Sequence, residues 1–284
     1  MPYGNVFAKI NNEYYQLTGA EKKVADYAVA HQQKTQYMSI SELAEEAGVA
    51  EATISRFCRR LGLTGYNAFK LELAKASMTR DSHRADAAIL QESSGFHAMC
   101  KKLLGENVAV LEQTIQLLDP RQVSRAVDLL RRSRRVVCMG QGSSMVLSEE
   151  AWTLFSTVSP KFLFVPDSHL QMNTLALMDP DELVLFFSYS GSTRDFQDLL
   201  EVARQRQVKV VLVSRFPKSP GGQLADVVLQ CGADEGPLQA GSVNARMAQL
   251  FVLDVLFQEF CMRAPEETEQ SREQIAEAVA RKHL

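Results

Sequence analysis

Five short apolar runs in the second half of the chain constrain its fold more than any other feature. They are Val136–Met139, Phe162–Val165, Leu183–Phe187, Val208–Val213 and Val227–Leu229. Most are separated by stretches long enough for a helix. Strand and helix in alternation predict an α/β domain, a parallel sheet with helices on both faces. The apolar segment from about Gly241 to Met262 has helical spacing and is expected to close the domain. The charged tail from Ala264 reads as a solvated helix.

The first half has a different rhythm and reads as an all-α domain. Thr18 to Glu21 forms a T-x-x-E capping box ahead of Val24, Ala25, Ala28 and Val29. Ser39 to Glu42 repeats the signature before Leu43, Ala44 and Ala47, and Gly48 stops that helix. A third helix runs from about Ala50 to Leu61, with Ile54, Phe57, Cys58 and Leu61 in one stripe. A fourth, from about Tyr66 to Ser77, packs Phe69, Leu71 and Leu73. Residues 78–97 are polar and read as linker. Asp119-Pro120 starts another helix, with Asp as N-cap and Pro at the first position. The expected organisation is residues 1–79, a linker over 80–107, a second domain over 108–265 and a tail over 266–284.

Helices 39–47 and 50–61 with the Gly48-Val49 turn form a helix-turn-helix candidate, the geometry that presents one helix to a DNA major groove. With the apolar stripe buried, the opposite face shows Glu51, Ala52, Thr53, Ser55, Arg56, Arg59 and Arg60. Thr53 and Arg56 sit where base edges are reachable. Arg59 and Arg60, with Lys70 in the next helix, are better placed for phosphates. Two helices and a glycine turn occur in any small helical domain. Three arginines and small hydroxyl residues with one acid are what favour DNA here. Ala50 supplies no side-chain cap, a deficit of about 1 kcal/mol.

Charge distribution agrees in sign. Residues 1–80 hold ten Lys and Arg against eight Asp and Glu, while the remainder holds 21 against 26. The net charge of −3 excludes a general polyanion binder, so any DNA contact must be local. Five cysteines without metal-ligand spacing argue against a zinc site or a disulfide framework and fit a reducing compartment. With no secretory pattern and no long apolar run, the expected location is the cytoplasm, with no membrane partner.

Two loops follow strands of the second domain: Gly140-Gln141-Gly142-Ser143-Ser144, and Ser188-Tyr189-Ser190-Gly191-Ser192-Thr193. Each lies at a strand's carboxyl end and leads into a helix, where open α/β sheets bind ligands. Small residues admit a phosphate, hydroxyls donate to it, and a helix N-terminus adds unpaired N–H groups. Met145 breaks a dinucleotide fingerprint, no Gly-Lys-Ser/Thr triplet supports a P-loop, and neither loop is G-x-S-x-G. Ser192 with Asp195 could instead cap the following helix.

These stretches together carry a resemblance. Leu17–Ala25, Ile40–Arg60, Gly62–Tyr66 and the two loops, in this order and spacing, resemble the RpiR family of bacterial regulators from about residue 5 to 263. The resemblance implies a flavodoxin-like, five-stranded sugar isomerase (SIS) domain that binds a phosphosugar and dimerises. By position it implies that Ser188, Ser190 and Thr193 hold the phosphate, with backbone donors from Gly191 and Ser192. Ser144 and Ser143 would approach from the first loop. Expected partners are a double-stranded DNA operator, a sugar phosphate effector and further copies of the chain, as a homodimer or dimer of dimers. No cofactor, metal or catalytic residue is expected. The alternatives are a phosphosugar aldose–ketose isomerase with a fused DNA-binding head, and a SIS domain that only dimerises. Isomerisation needs a positioned base. Asp234, Glu235, Glu149 and Glu150 are the acids considered, and none is placed beside a substrate by sequence.

Overall fold

A computed structural model describes residues 6–76, 95–233 and 242–280. The described residues up to Gly105, with Ser242, form one compact unit. Glu106–Ala233 and the chain from Val243 form the other.

The first unit contains α1 (Val6–Glu13), α2 (Gly19–Ala30), the short α3 (Gln32–Thr35), α4 (Ile40–Ala47), α5 (Glu51–Arg60) and α6 (residues 66–76). Both capping boxes form. The Thr18 and Ser39 hydroxyls accept from the Glu21 and Glu42 amides, and each glutamate accepts from its cap's backbone N–H. Gly48 ends α4 at φ 63°, a left-handed turn that glycine adopts without a Cβ penalty. Ile54, Phe57 and Cys58 are buried, and Phe57 meets Phe69 edge-on at 5.4 Å, joining α5 to α6. Val6 and Ile10 of α1 complete this core, although no sequence signal marked that helix. Val29, expected on the buried stripe of α2, is exposed.

In the second unit β1 (Val136–Gly140), β2 (Phe162–Phe164), β3 (Leu183–Phe187), β4 (Lys209–Ser214) and β5 (Val227–Gln230) form one parallel sheet of order β2-β1-β3-β4-β5. Alternate strand residues face two cores. Val136, Cys138, Leu185, Phe187, Val211 and Val213 pack under α8 (Pro120–Arg132), α9 (Met145–Ser156) and α13 (Val243–Met262). Val137, Met139, Val184, Phe186, Val210 and Leu212 pack under α10 (Ser168–Ala176) and α11 (Arg194–Arg206). Burial on both sides explains why the strands read as unbroken apolar runs.

A single helix, α7 (Gly95–Leu117), covers residues 95–107, which the sequence reading assigned to the linker. Phe96, Met99, Leu103 and Leu104 fall at helical spacing, but they are exposed and interspersed with polar residues, so composition masked the period. The rest of that linker, 80–94, lies outside the described residues. A short α12 (Pro220–Leu224) precedes β5, and α14 (Pro265–Ala280) is the solvated helix expected of the tail. No helix among the described residues is long and apolar enough to cross a membrane.

The arginines at the entry to β1 are committed to the fold. Arg135 donates to the fully buried carboxylate of Glu182 at 2.8 Å, and Arg134 donates to the same group at 2.9 Å. Burial alone would raise the Glu182 pKa. Hydrogen bonds from Arg135 and the Asp179 amide, with the charges of both arginines, outweigh it and hold the carboxyl below its ordinary value. A carboxyl depressed in the folded state stabilises above the unfolded value of about 4.3, and this contribution is lost as pH falls through the folded value. Glu182→Gln should therefore be less stable by about 1–3 kcal/mol at pH 7. Urea unfolding at stepped pH should show that gap closing below about pH 4.

Candidate nucleic-acid face and ligand crevice

The turn between α4 and α5 is fixed by backbone bonds: the Val49 amide donates to the Ala44 carbonyl at 2.9 Å, and the Thr53 amide to the Ala50 carbonyl at 2.8 Å. Ala50 is the N-cap of α5 and supplies no side-chain bond. In its place Ser41 donates to the Glu51 carboxylate at 2.6 Å, linking the first turns of the two helices. Glu51, listed among the DNA-facing residues by pattern, is thus engaged within the domain.

Arg60 is also engaged. It donates to the Gln16 carbonyl at 2.6 Å and pairs at 3.5 Å with Glu21, the carboxylate of the first capping box. Burial pushes the Glu21 pKa up, but the Thr18 hydrogen bonds and the charges of Arg60 and Arg56 bring it below normal. Ala52, Arg56 and Arg59 are exposed along one face, with Thr53 and Ser55 half-buried beside them. Arg56 lies against its own helix, Nε donating to the Ala52 carbonyl at 3.2 Å. Lys70 is half-buried in α6, its ammonium 5.9 Å from the Tyr66 ring centre.

In the second unit β1 lies between β2 and β3, so the chain leaves β1 toward one edge of the sheet and returns to build the other. Strand order reverses at β1/β3, the point where such sheets open a crevice beyond their carboxyl ends. Both small-residue loops are there, following Gly140 and Phe187, which are register partners. They touch directly: Thr193 Oγ1 donates to Gln141 Oε1 at 3.4 Å.

Two glycines set the loop shapes. Gly191 has φ +59°, and a Cβ there would collide with the Ser219 hydroxyl. Gly140 is closed off by Ser148 and the Ser144 backbone. Within the second loop Ser188 is buried, and its hydroxyl oxygen accepts from the Gly191 amide at 3.1 Å, so it shapes the turn. Ser190 Oγ accepts from the Ser192 amide at 3.3 Å, and Ser192 Oγ donates to the Ser190 carbonyl at 2.9 Å. Ser143 is exposed and Ser144 half-buried, and neither hydroxyl makes a hydrogen bond to another described residue.

The cap anticipated from Ser192 and Asp195 does not form. Thr193 is the N-cap of α11 and makes no side-chain cap bond, because its hydroxyl turns toward Gln141. The N-terminus of α9 is likewise without a side-chain cap. By contrast α8, α10 and α12 are capped by Asp119, Asp167 and Ser219. Neither helix beginning at the crevice has a side-chain cap; a 3-10 turn over Gly142–Ser144, itself without a side-chain cap, runs into α9, so on that side the open N–H groups belong to the turn.

Other polar residues of the second half of the chain fall outside this grouping. His169, Glu149 and Glu150 are exposed, Arg246 is half-buried, and Asp234 and Glu235 lie outside the described residues. Gln171 is fully buried and donates through Nε2 to the carbonyls of Gly140 and Val165, at 3.0 and 2.8 Å. It fixes the exit of β1. Gln141 and Tyr189 occupy variable positions of the loop patterns, where pattern alone gives them no role.

A helix-turn-helix head and a parallel 2-1-3-4-5 sheet with two small-residue loops at its switch point define a two-domain transcription regulator. Residues 4–80 match the helix-turn-helix domain of the rpiR family, and residues 129–258 match the SIS domain. The chain is 33% identical over 258 residues to an HTH-type transcriptional regulator of Haemophilus influenzae, covering 89% of each. With HexR of Pseudomonas aeruginosa it shares 29% identity over 252 residues, 89% of this chain and 87% of that one. It belongs to the RpiR family of HTH-type transcriptional regulators. Among solved structures, Vibrio vulnificus NanR, complexed with ManNAc-6P, has the same fold at a TM-score of 0.87 and 24% identity, covering 99% of this chain and all of that one. The sugar isomerase domain of an RpiR transcription factor from Sphaerobacter thermophilus matches at 0.57 and 21%, over 62% of this chain and 97% of that one.

The two loop glycines should respond differently to a methyl group. Gly142 has φ +57° with open space around it, so Gly142→Ala should cost about 1–2 kcal/mol, the left-handed penalty alone. Gly191→Ala should add about 1–3 kcal/mol of overpacking against Ser219. Paired urea melts will read the difference.

Proposed function

We propose that the chain is a cytoplasmic, homodimeric transcription regulator whose affinity for an operator is set by a sugar phosphate in the β1/β3 crevice. The reading assigns residues 1–79 to DNA, 80–107 to connection, 108–265 to sensing and 266–284 to a charged tail. In the sensor, Ser190 and Thr193 donate hydroxyls to the phosphate, the Ser192 amide turns to it from the Ser190 hydroxyl, and Ser143 and Ser144 contact phosphate or sugar; the Gly191 amide, bonded to Ser188 Oγ, shapes the loop instead of serving as the backbone donor expected by resemblance. Ser188 holds the loop in register. In the head, Thr53, Ser55 and Arg56 face base edges beside Ala52, and Arg59 and Lys70 face phosphates. Glu51 and Arg60 fix the reading helix to its neighbours.

The observation that carries this reading is the meeting of two hydroxyl-rich loops at the β1/β3 switch point, where α11 and the 3-10 turn leading into α9 both start without side-chain caps. Unpaired N–H groups and hydroxyls are the donor set a phosphate monoester takes. The full-length fold shared with NanR, which was solved with a phosphosugar, supports the ligand class. Binding without turnover is favoured because the similar full-length chains are named transcriptional regulators.

Regulation then follows from linkage. A ligand preferring one arrangement of the dimer changes the DNA affinity of the paired heads, with coupling of about 1–3 kcal/mol. A two-fold dimer reads inverted half-sites.

A thermal-shift screen of sugar phosphates against their unphosphorylated parents tests the effector class. Shifts for some phosphorylated compounds and none for their parents are expected, and conversion of a hit to its isomer would establish the enzyme reading instead. Ser190→Ala with Thr193→Val should abolish the shift while leaving DNA binding intact. Arg56→Ala should weaken operator binding about tenfold or more with the shift unchanged. Equal loss of both activities in either folded variant would overturn the two-module account.

A further inference from the structure

The second loop contains one large residue, and its side chain reaches away from the crevice. The Tyr189 hydroxyl donates to the Ala233 carbonyl at 2.9 Å, just beyond β5, and its ring packs edge-on against Phe216 at 5.7 Å. Its own carbonyl accepts from Ser214 Oγ and from the Arg215 amide, at 3.0 and 3.1 Å. Tyr189 therefore cannot shift with its loop without disturbing the end of β5.

That end is held from the opposite side by α7. The Ala233 amide donates to Gln113 Oε1 at 2.9 Å, and the Gly232 amide donates to Thr114 Oγ1 at 3.0 Å. Thr114 in turn donates to the Val110 carbonyl at 2.7 Å. The approach is too close for a side chain: a Cβ on Gly232 would lie 2.8 Å from Thr114 Oγ1 and 2.9 Å from the Val110 carbonyl oxygen. Ala233 has φ +73°, a backbone state that alanine keeps only where its surroundings impose it. The imposing groups are Tyr189 and Arg215 on its carbonyl and Gln113 on its amide. α7 runs unbroken from Leu117 back to Gly95, and its residues up to Gly105 group with the unit that carries the reading helix.

We propose that Tyr189 is the positioning residue that couples the ligand loop to α7 through the strained Ala233 peptide. Occupancy of the loop changes the grip of the Tyr189 hydroxyl on Ala233, and Gln113 and Thr114 pass the change to the helix leading toward the DNA-binding unit. The consequence for gene regulation rests on the second loop being the effector site, whereas the coupling can be tested without a ligand.

Hydrogen exchange on the full chain, wild type against Tyr189→Phe, provides the test. Phenylalanine keeps the ring packing, and the Arg215 bond to Ala233 remains, so the fold should be preserved. In ligand-free protein the amides of Gly232, Ala233 and the 110–117 turns of α7 should exchange about fivefold faster in the variant, the factor expected for one lost hydrogen bond, with α10 unchanged. Unaltered exchange at these amides would overturn the coupling. Inorganic phosphate is the probe for the second arm. It should slow the amides of 188–194 in both proteins, and those of 232–233 and 110–117 in wild type alone. Equal spread of protection in Tyr189→Phe would also overturn the proposal, and Gln113→Leu should confine protection to the crevice side of Ala233. If phosphate leaves 188–194 unprotected in both proteins, the effector-site reading fails, while the ligand-free comparison still decides whether Tyr189 holds α7.

Discussion

The reversal of strand order between β1 and β3 is the constraint from which the second unit's chemistry follows. Parallel strands buried on both faces place their loops at the ends of the sheet, and crossovers in opposite directions from neighbouring strands part those loops. Gly140 and Gly191 admit no side chain there, because a Cβ on either would meet Ser148 or Ser219. Apart from Gln141 and Tyr189 the loops consist of glycine and hydroxyl residues, and α9 and α11 begin there without side-chain caps. By contrast α8, α10 and α12 carry their own Asp or Ser caps.

The first unit solves a related problem with side chains alone. Its two capping boxes fix where α2 and α4 begin, and the Glu21 carboxylate of one box also meets Arg60 at the end of the reading helix. The ion pair thus joins a helix start to a helix end, the carboxylate favourable for the dipole of α2 and the Arg60 cation for that of α5. The angle of α5 then depends on polar bonds at each end, Ser41 with Glu51 and Gln16 with Arg60, and on Phe57 and Phe69 between. Thr53, Arg56 and Arg59 are the polar residues of that face these end bonds do not use.

Legibility in the sequence followed the physical range of each signal. Short-range signals were readable: both capping boxes, the Gly48 turn, the Asp119 cap and the five strands each depend on a few consecutive residues. The apolar face of α5 was readable because its period is internal to one helix. What could not be read depends on partners distant in the chain. Arg60 appears to belong to the DNA face until Gln16 and Glu21 are brought beside it, and Ser192 appears to be a cap until Thr193 takes that place. Gln171, Gln141 and Tyr189 act on carbonyls or hydroxyls 31, 52 and 44 residues away, and no local pattern encodes such bonds. The helix over 95–107 was missed for another reason: its apolar residues are exposed, and the sequence reading weighted composition above period.

On the proposed function, a small binding energy must act over a long distance. Hydroxyls and amides binding an anion would supply a few kcal/mol, too little to deform the closely packed strand cores. That energy has to enter an element already near a conformational limit. Ala233 is such a place, a left-handed alanine held from two sides at the margin of the sheet, and it adjoins the helix that leads to the other unit. A glycine there would hold the same turn with less dependence on its neighbours. Alanine makes the turn conditional on Tyr189 and Gln113, and conditional structure is what a coupling between two sites requires.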